Sequence, residues 1–256
     1  MKAALLALML LLPGAAQAAT PEEIFALYAR GDYEQAAKVG EAARTAPGYA
    51  IAARAVLADA VLRDTPCLEC LERAERLSRQ AVAADPRNAF GQIWLAVSLG
   101  YQSRITGVVK ARLRDAPGQS RLALDAAIAA DPQNPYAISA LGGWHIEIVR
   151  GGGATLARLL YGARESEALA LFDRSIKLMP GNVAVRYQIA LSLLGFDSDK
   201  YRARILAELR AAVAGEAATA YEKQIQGRAN ELLGLVNRGA QDVLEARVRK
   251  YQGYPD

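Results

Sequence analysis

A single histidine and two cysteines stand in a chain of 256 residues, so most metal and nucleophilic chemistry lacks its side chains. A structural zinc usually takes about four Cys or His ligands, and two cysteines with one histidine do not supply them. Haem attachment through a Cys-x-x-Cys-His run is excluded, because Leu71 follows Cys70. The glycines at 151–153 lack the Lys-Ser/Thr that completes a phosphate-binding loop, and no alternating apolar pattern marks a strand before them. Excess charge is missing too: a formal charge of +4 and a pI near 9.1 do not argue for nucleic acid as a partner. These absences leave no catalytic residue, metal or cofactor to name. What is present is 52% hydrophobic and 23% charged residues, enough to bury a sizeable core.

The opening "MKAALLALMLLLPGAAQAAT" carries one Lys, an apolar run over 3–12 and then small residues ending in Ala16-Gln17-Ala18. That is the layout of a secretory signal peptide. The run is about half the ~20 residues needed to span a bilayer, and no later segment is long and apolar enough. The expectation is export to the periplasm with cleavage after Ala18 or Ala19. Residues 1–18 are then a removed signal, 19–251 a single helical domain and 252–256 a short tail. A retained amphipathic anchor is the competing reading.

Two turns are written almost identically, "AADPRNAFG" at 83–91 and "AADPQNPYA" at 129–137, with looser copies at "RTAPGYA" and "KLMPGNVAV". Their prolines, Pro47, Pro86, Pro132 and Pro180, recur at intervals of 39, 46 and 48 residues. Proline cannot continue a helix, so each marks an end and a fresh start. Five residues before each proline stand Ala42, Ala81, Ala127 and Ser175, small enough for close helix packing. Nine residues after it stand the apolar Val56, Leu95, Leu141 and Ile189. Repetition of this kind signals stacked helix hairpins. The 3.6-residue periodicity places helices at 22–30, 33–46, 49–63, 67–84, 88–105, 118–130, 135–149, 165–179, 183–194, 200–213, 217–236 and 240–251.

The fold class expected is therefore all-α, a tetratricopeptide-like α-solenoid of stacked hairpins. The segment "ALYARGDYEQAAKVGEAARTAPG" resembles a tetratricopeptide repeat, whose usual length is about 34 residues. The excess over that length forms elongated insertions at "DTPCLEC", "TGVVKARLRDAPG" and "GGGATLARLLYGARE". Together with "WLAVSLGYQSR", "ALDAAIAADPQNPYAISALGGWHIEIV" and "ESEALALFDRSIKLMPGN", these insertions resemble the regulator of microtubule dynamics family and its bacterial relatives over roughly residues 70–215. The resemblance implies a non-enzymatic, tetratricopeptide-like interaction domain. A signal peptide departs from any microtubule role, so the fold alone is carried over.

In an exported protein the pair Cys67 and Cys70 favours a structural disulfide, with thiol redox chemistry as the other reading. His145 falls where the sister copies place Leu99 and Leu193, so it is expected as a hydrogen-bonded core histidine. A chain reversal after a helix is the expected use of the glycines at 151–153. Lys110, Arg112 and Arg114, beside Arg104 and Arg121 and against the one acid Asp115, offer contact with a membrane surface or an acidic partner. First helices of the pairs are expected to line a concave groove. Tyr101, Arg104, Tyr136 and Tyr161 are its candidate binding residues, and the leading reading is a periplasmic adaptor for an unidentified protein or peptide. The alternative is a small-molecule or lipid pocket closed by the insertions.

Overall fold

The computed structural model describes residues 18–255, so the expected signal segment lies outside the described residues but for Ala18. Among the described residues every regular element is a helix: α1 (Pro21–Arg30), α2 (Tyr33–Ala42), α3 (Ala46–Leu62), α4 (Leu68–Ala84), α5 (Ala89–Thr106), α6 (Val108–Leu113), α7 (Ala116–Ala130), α8 (Pro135–Tyr161), α9 (Glu165–Leu178), α10 (Val183–Phe196), α11 (Arg202–Ala214), α12 (Ala220–Arg238) and α13 (Gln241–Tyr251). None is long and apolar enough to cross a membrane.

The repeated turn works as a stop followed by a start. Asp85 and Asp131 end α4 and α7, and their carboxylates accept from the amides of Arg87 at 2.9 Å and Gln133 at 3.2 Å. Two residues past each proline, Asn88, Asn134 and Asn182 cap the next helix by accepting from Gly91, Ala137 and Val185 amides that have no intrahelical partner. The first copy is phased differently. Thr45 is the cap there and Pro47 lies in the first turn of α3, where its missing N–H costs nothing. Helix α2 accordingly stops at Ala42, short of the expected boundary, and Arg44 turns the chain at φ 52°.

Packing follows the repeat. Ala81, Ala127 and Ser175 are fully buried, and Val56, Leu95, Leu141 and Ile189 are buried opposite them. Ala42 is exposed because of the shifted first turn. Consecutive helices pack as hairpins, with α1, α3, α5, α8, α10 and α12 as first members and α2, α4, α7, α9, α11 and α13 as second members. First members also touch one another in sequence, and α1 touches α12. The ends of the solenoid therefore meet. A Cβ added at Gly31 would lie 3.1 Å from the Ala220 side chain, and Arg228 of α12 donates to the carbonyls of Val61 and Leu62 at 2.9 Å each. An open concave groove is thus replaced by an inner ring of six first helices, because these small residues and backbone carbonyls let the terminal pairs dock.

Two helical stretches were not expected from periodicity. One is α6, and the other is the last part of α8, which continues past 149 to Tyr161 with a break at Gly153, φ 72° and ψ 157°. Gly153, in a conformation that is essentially glycine-only, divides α8 into two helical parts. The second runs back along the first, since the Tyr161 ring lies 6.4 Å from that of Trp144 and the Arg164 amide reaches His145 at 3.2 Å, so the glycines reverse the chain after a helix as expected. Residues 252–254, expected as tail, fold back onto the body: Gln252 is buried and its amide donates to the Leu191 carbonyl at 3.0 Å.

Candidate functional site

The inner ring encloses a cavity of about 400 Å³, within the range of small-molecule sites. Its wall is supplied by the successive first helices, from Tyr28 of α1 through Leu57, Val97, Ile148 and Val185 to Tyr221 of α12. The α5 wall and the part of α8 before Gly153 run parallel, since Phe90 meets Tyr136 near their starts and Arg104 meets Glu147 towards their ends. Along α5 the lining reaches from Ile93 to Arg104, about 16 Å at 1.5 Å per residue.

All four of the binding residues expected from sequence, Tyr101, Arg104, Tyr136 and Tyr161, line this cavity. Tyr136 accepts from the Asn182 side-chain amide at 3.1 Å, and Tyr161 sets its ring edge-on to Trp144. Trp144 in turn is held by its indole N–H, which donates to the Pro117 carbonyl at 3.0 Å. Of the expected membrane-facing cations, Arg112 lines the cavity while Lys110 and Arg114 do not. Arg114 instead lies 3.8 Å from Glu75.

At one end of the cavity Glu147 lies between two guanidiniums, Arg104 at 3.2 Å and Arg150 at 2.7 Å. Burial opposes ionisation of Glu147, but these two cations outweigh it and hold the carboxyl below its usual range. Arg104 also donates to the Gln252 carbonyl at 2.9 Å, and Arg150 bonds the Tyr254 hydroxyl, so the returned carboxy-terminal segment packs against this end. At the other end Arg54 stands over the rings of Tyr28, Phe25, Trp94 and Tyr136, at 4.4, 5.4, 5.5 and 6.0 Å. Among the described residues no carboxylate pairs with it. Sequence reasoning missed Arg54, because its aromatic neighbours come from α1, α5 and α8 and no spacing along the chain announces them.

The lining is not uniformly hidden. Its exposed members are Gly107, Val108, Arg112, Gly151 and Leu156, and all five belong to the two insertions. The mouth of the cavity is therefore where α6 faces the kinked end of α8.

His145 is outside this lining, 2% exposed, with Nδ1 accepting from the Arg164 amide at 3.2 Å. Burial, and then the Arg121 charge, push its pKa down to about 4, so it is a neutral core group at pH 7. Cys67 and Cys70 are joined at the start of α4 with a Cα separation of 5.3 Å, and Cys67 caps that helix by accepting from the Cys70 amide. Among the described residues no three His, Cys, Asp or Glu side chains converge as a metal site would require.

A family model described as regulator of microtubule dynamics protein 1-3 matches residues 51–237. That stretch runs from within α3 to the end region of α12 and takes in the cavity wall from Arg54 to Tyr221. No curated protein matches the chain.

Proposed function

Because the chain belongs to the regulator of microtubule dynamics protein 1-3 family, we propose that it is a non-enzymatic binding protein, exported to the periplasm, that holds an apolar or amphipathic small molecule inside its helical ring. The observation that carries this reading is the cavity of about 400 Å³, walled by aliphatic and aromatic side chains and polar mainly at its two ends. Removing apolar ligand surface from water would supply roughly 25 cal/mol per Å², and a preformed wall spares the cost of ordering it. Arginine and tyrosine at the ends favour an occupant with a polar or anionic terminus and a hydrocarbon body. Among the described residues Glu147 is the one carboxylate that lines the cavity, and it is paired with Arg104 and Arg150.

A second reading, a protein adaptor that receives an apolar peptide segment at the same place, is favoured by the presence of Tyr101, Arg104, Tyr136 and Tyr161 in the lining of one cavity. One experiment separates the two. The full-length chain is expressed with its leader, recovered from an envelope extract, denatured and extracted with solvent, and both fractions are identified by mass spectrometry. A variant carrying Tyr101→Ala, Tyr136→Ala and Tyr161→Ala is treated in parallel. The expected result is a small apolar molecule at near-stoichiometric yield, reduced roughly tenfold or more in the variant through the loss of three half-buried rings from the cavity wall. A discrete protein lost in the variant, with no small molecule, would transfer the site to the adaptor reading. Recovery of neither would sink both.

A further inference from the structure

Six of the eleven large hydrophobic side chains exposed among the described residues sit on two short stretches: Val108, Val109 and Leu113 of α6, and Leu156, Leu159 and Leu160 at the end of α8. Their exposures run from 49% for Leu156 to 83% for Leu113. The two stretches flank one opening, since Val108 and Leu156 both line the cavity mouth while Ala111 and Ala157 anchor their helices to the same core. An exposed apolar cluster of this size is seldom left facing water.

The charges within the two stretches have one sign, with Asp115 the nearest acid beyond α6. Lys110, Arg112 and Arg158 lie among these residues with no carboxylate paired to them among the described residues, and no acidic residue occurs within α6 or between Glu147 and Glu165. Apolar side chains pointing outward and interleaved with unpaired cations match the surface of an anionic lipid leaflet. A second copy of this chain fits less well. A two-fold contact would set the same cations against one another, with Asp115 alone at the edge of the face against Lys110, Arg112 and Arg158.

We propose that α6 and the kinked end of α8 form a membrane-docking face, inserting Val109, Leu113, Leu159 and Leu160 into an anionic bilayer surface with the cavity mouth turned toward the lipid. This goes beyond the reading of the cavity and stands whether or not the cavity holds a ligand.

The test places an environment-sensitive fluorophore on the full-length chain at Leu159→Cys, and separately at exposed Lys177→Cys on α9, the native cysteines being joined and unreactive. A local probe is needed because the apolar run at 3–12 is common to every sample. Vesicles of phosphatidylcholine alone are compared with vesicles containing phosphatidylglycerol. The expected result is a blue shift and brightening at position 159 but not at 177. Apparent affinity should be on the order of a hundredfold higher for the anionic vesicles, at about fivefold per cation, and should fall with added salt. In a Val109→Asp, Leu113→Asp background, whose fold is checked by circular dichroism, the response at 159 should disappear. No change at 159 with anionic vesicles, or an equal change in the aspartate background, overturns the proposal. So does a shift at 159 without vesicles that tracks dimer formation in sedimentation, which would assign the face to a second copy.

Discussion

At the residue scale the most informative side chain is the one histidine. A leucine occupies the corresponding position in two sister repeats, as Leu99 and Leu193, both buried. His145 is tolerated there because its unprotonated Nδ1 satisfies the Arg164 amide. Its pKa is about 4 folded against about 6.5 unfolded. Between those values the unfolded chain binds a proton that the folded protein does not, so stability is fully present above pH 6.5 and declines as the pH falls toward 4. At about 1.4 kcal/mol per unit, the full contribution is on the order of 3.5 kcal/mol, most of it lost by pH 4.5. Urea midpoints at pH 7 and pH 4.5 should therefore fall closer together in His145→Leu than in the unchanged protein. Identical differences in both would show that His145 titrates normally. The residue's burial was legible from its repeat position, whereas its hydrogen-bond partner, nineteen positions along the chain, was not.

At the element scale the helices that periodicity found are those with one face buried. The repeated Asp-Pro-x-Asn turn locates their boundaries, because a capping aspartate, a proline and a capping asparagine are local chemistry. The first copy misled by a few residues, since a threonine cap can recruit the same proline into a helix start. Helix α6 and the end of α8 escaped for the opposite reason. Their valines and leucines point outward, so no apolar stripe of core-facing type marks them. The break between the two parts of α8 rests on Gly153 at φ 72° and ψ 157°, where a side chain costs about 1 to 3 kcal/mol. Gly153→Ala should lower the thermal midpoint and raise hydrogen exchange over 154–161 ahead of the rest of α8. Unchanged exchange there would mean that the kink is not held by the glycine.

At the scale of the whole molecule, the enclosed cavity depends on closure. The α1 to α12 contact, the Arg228 hydrogen bonds and the returned residues 252–254 convert stacked hairpins into a ring. Arg228→Met should cost about 1.5 to 3 kcal/mol, the range for hydrogen bonds from a charged donor. It should also accelerate hydrogen exchange in α1 and near the carboxy-terminal segment more than in α5. A uniform effect across the chain would indicate general destabilisation rather than opening of the ring.

The sequence by itself determined the helical class and the pairing of helices, and it offered Cys67 and Cys70 as a pair for a disulfide. All of these follow from short-range rules: apolar period, caps, prolines and the spacing of two cysteines. Only the tertiary structure decided that the solenoid closes, that Arg54 gathers four rings from three helices, and that both insertions meet at one mouth. Those features are contacts between segments far apart in the chain, and they arise from small rotations accumulated over successive repeats, which no local pattern encodes.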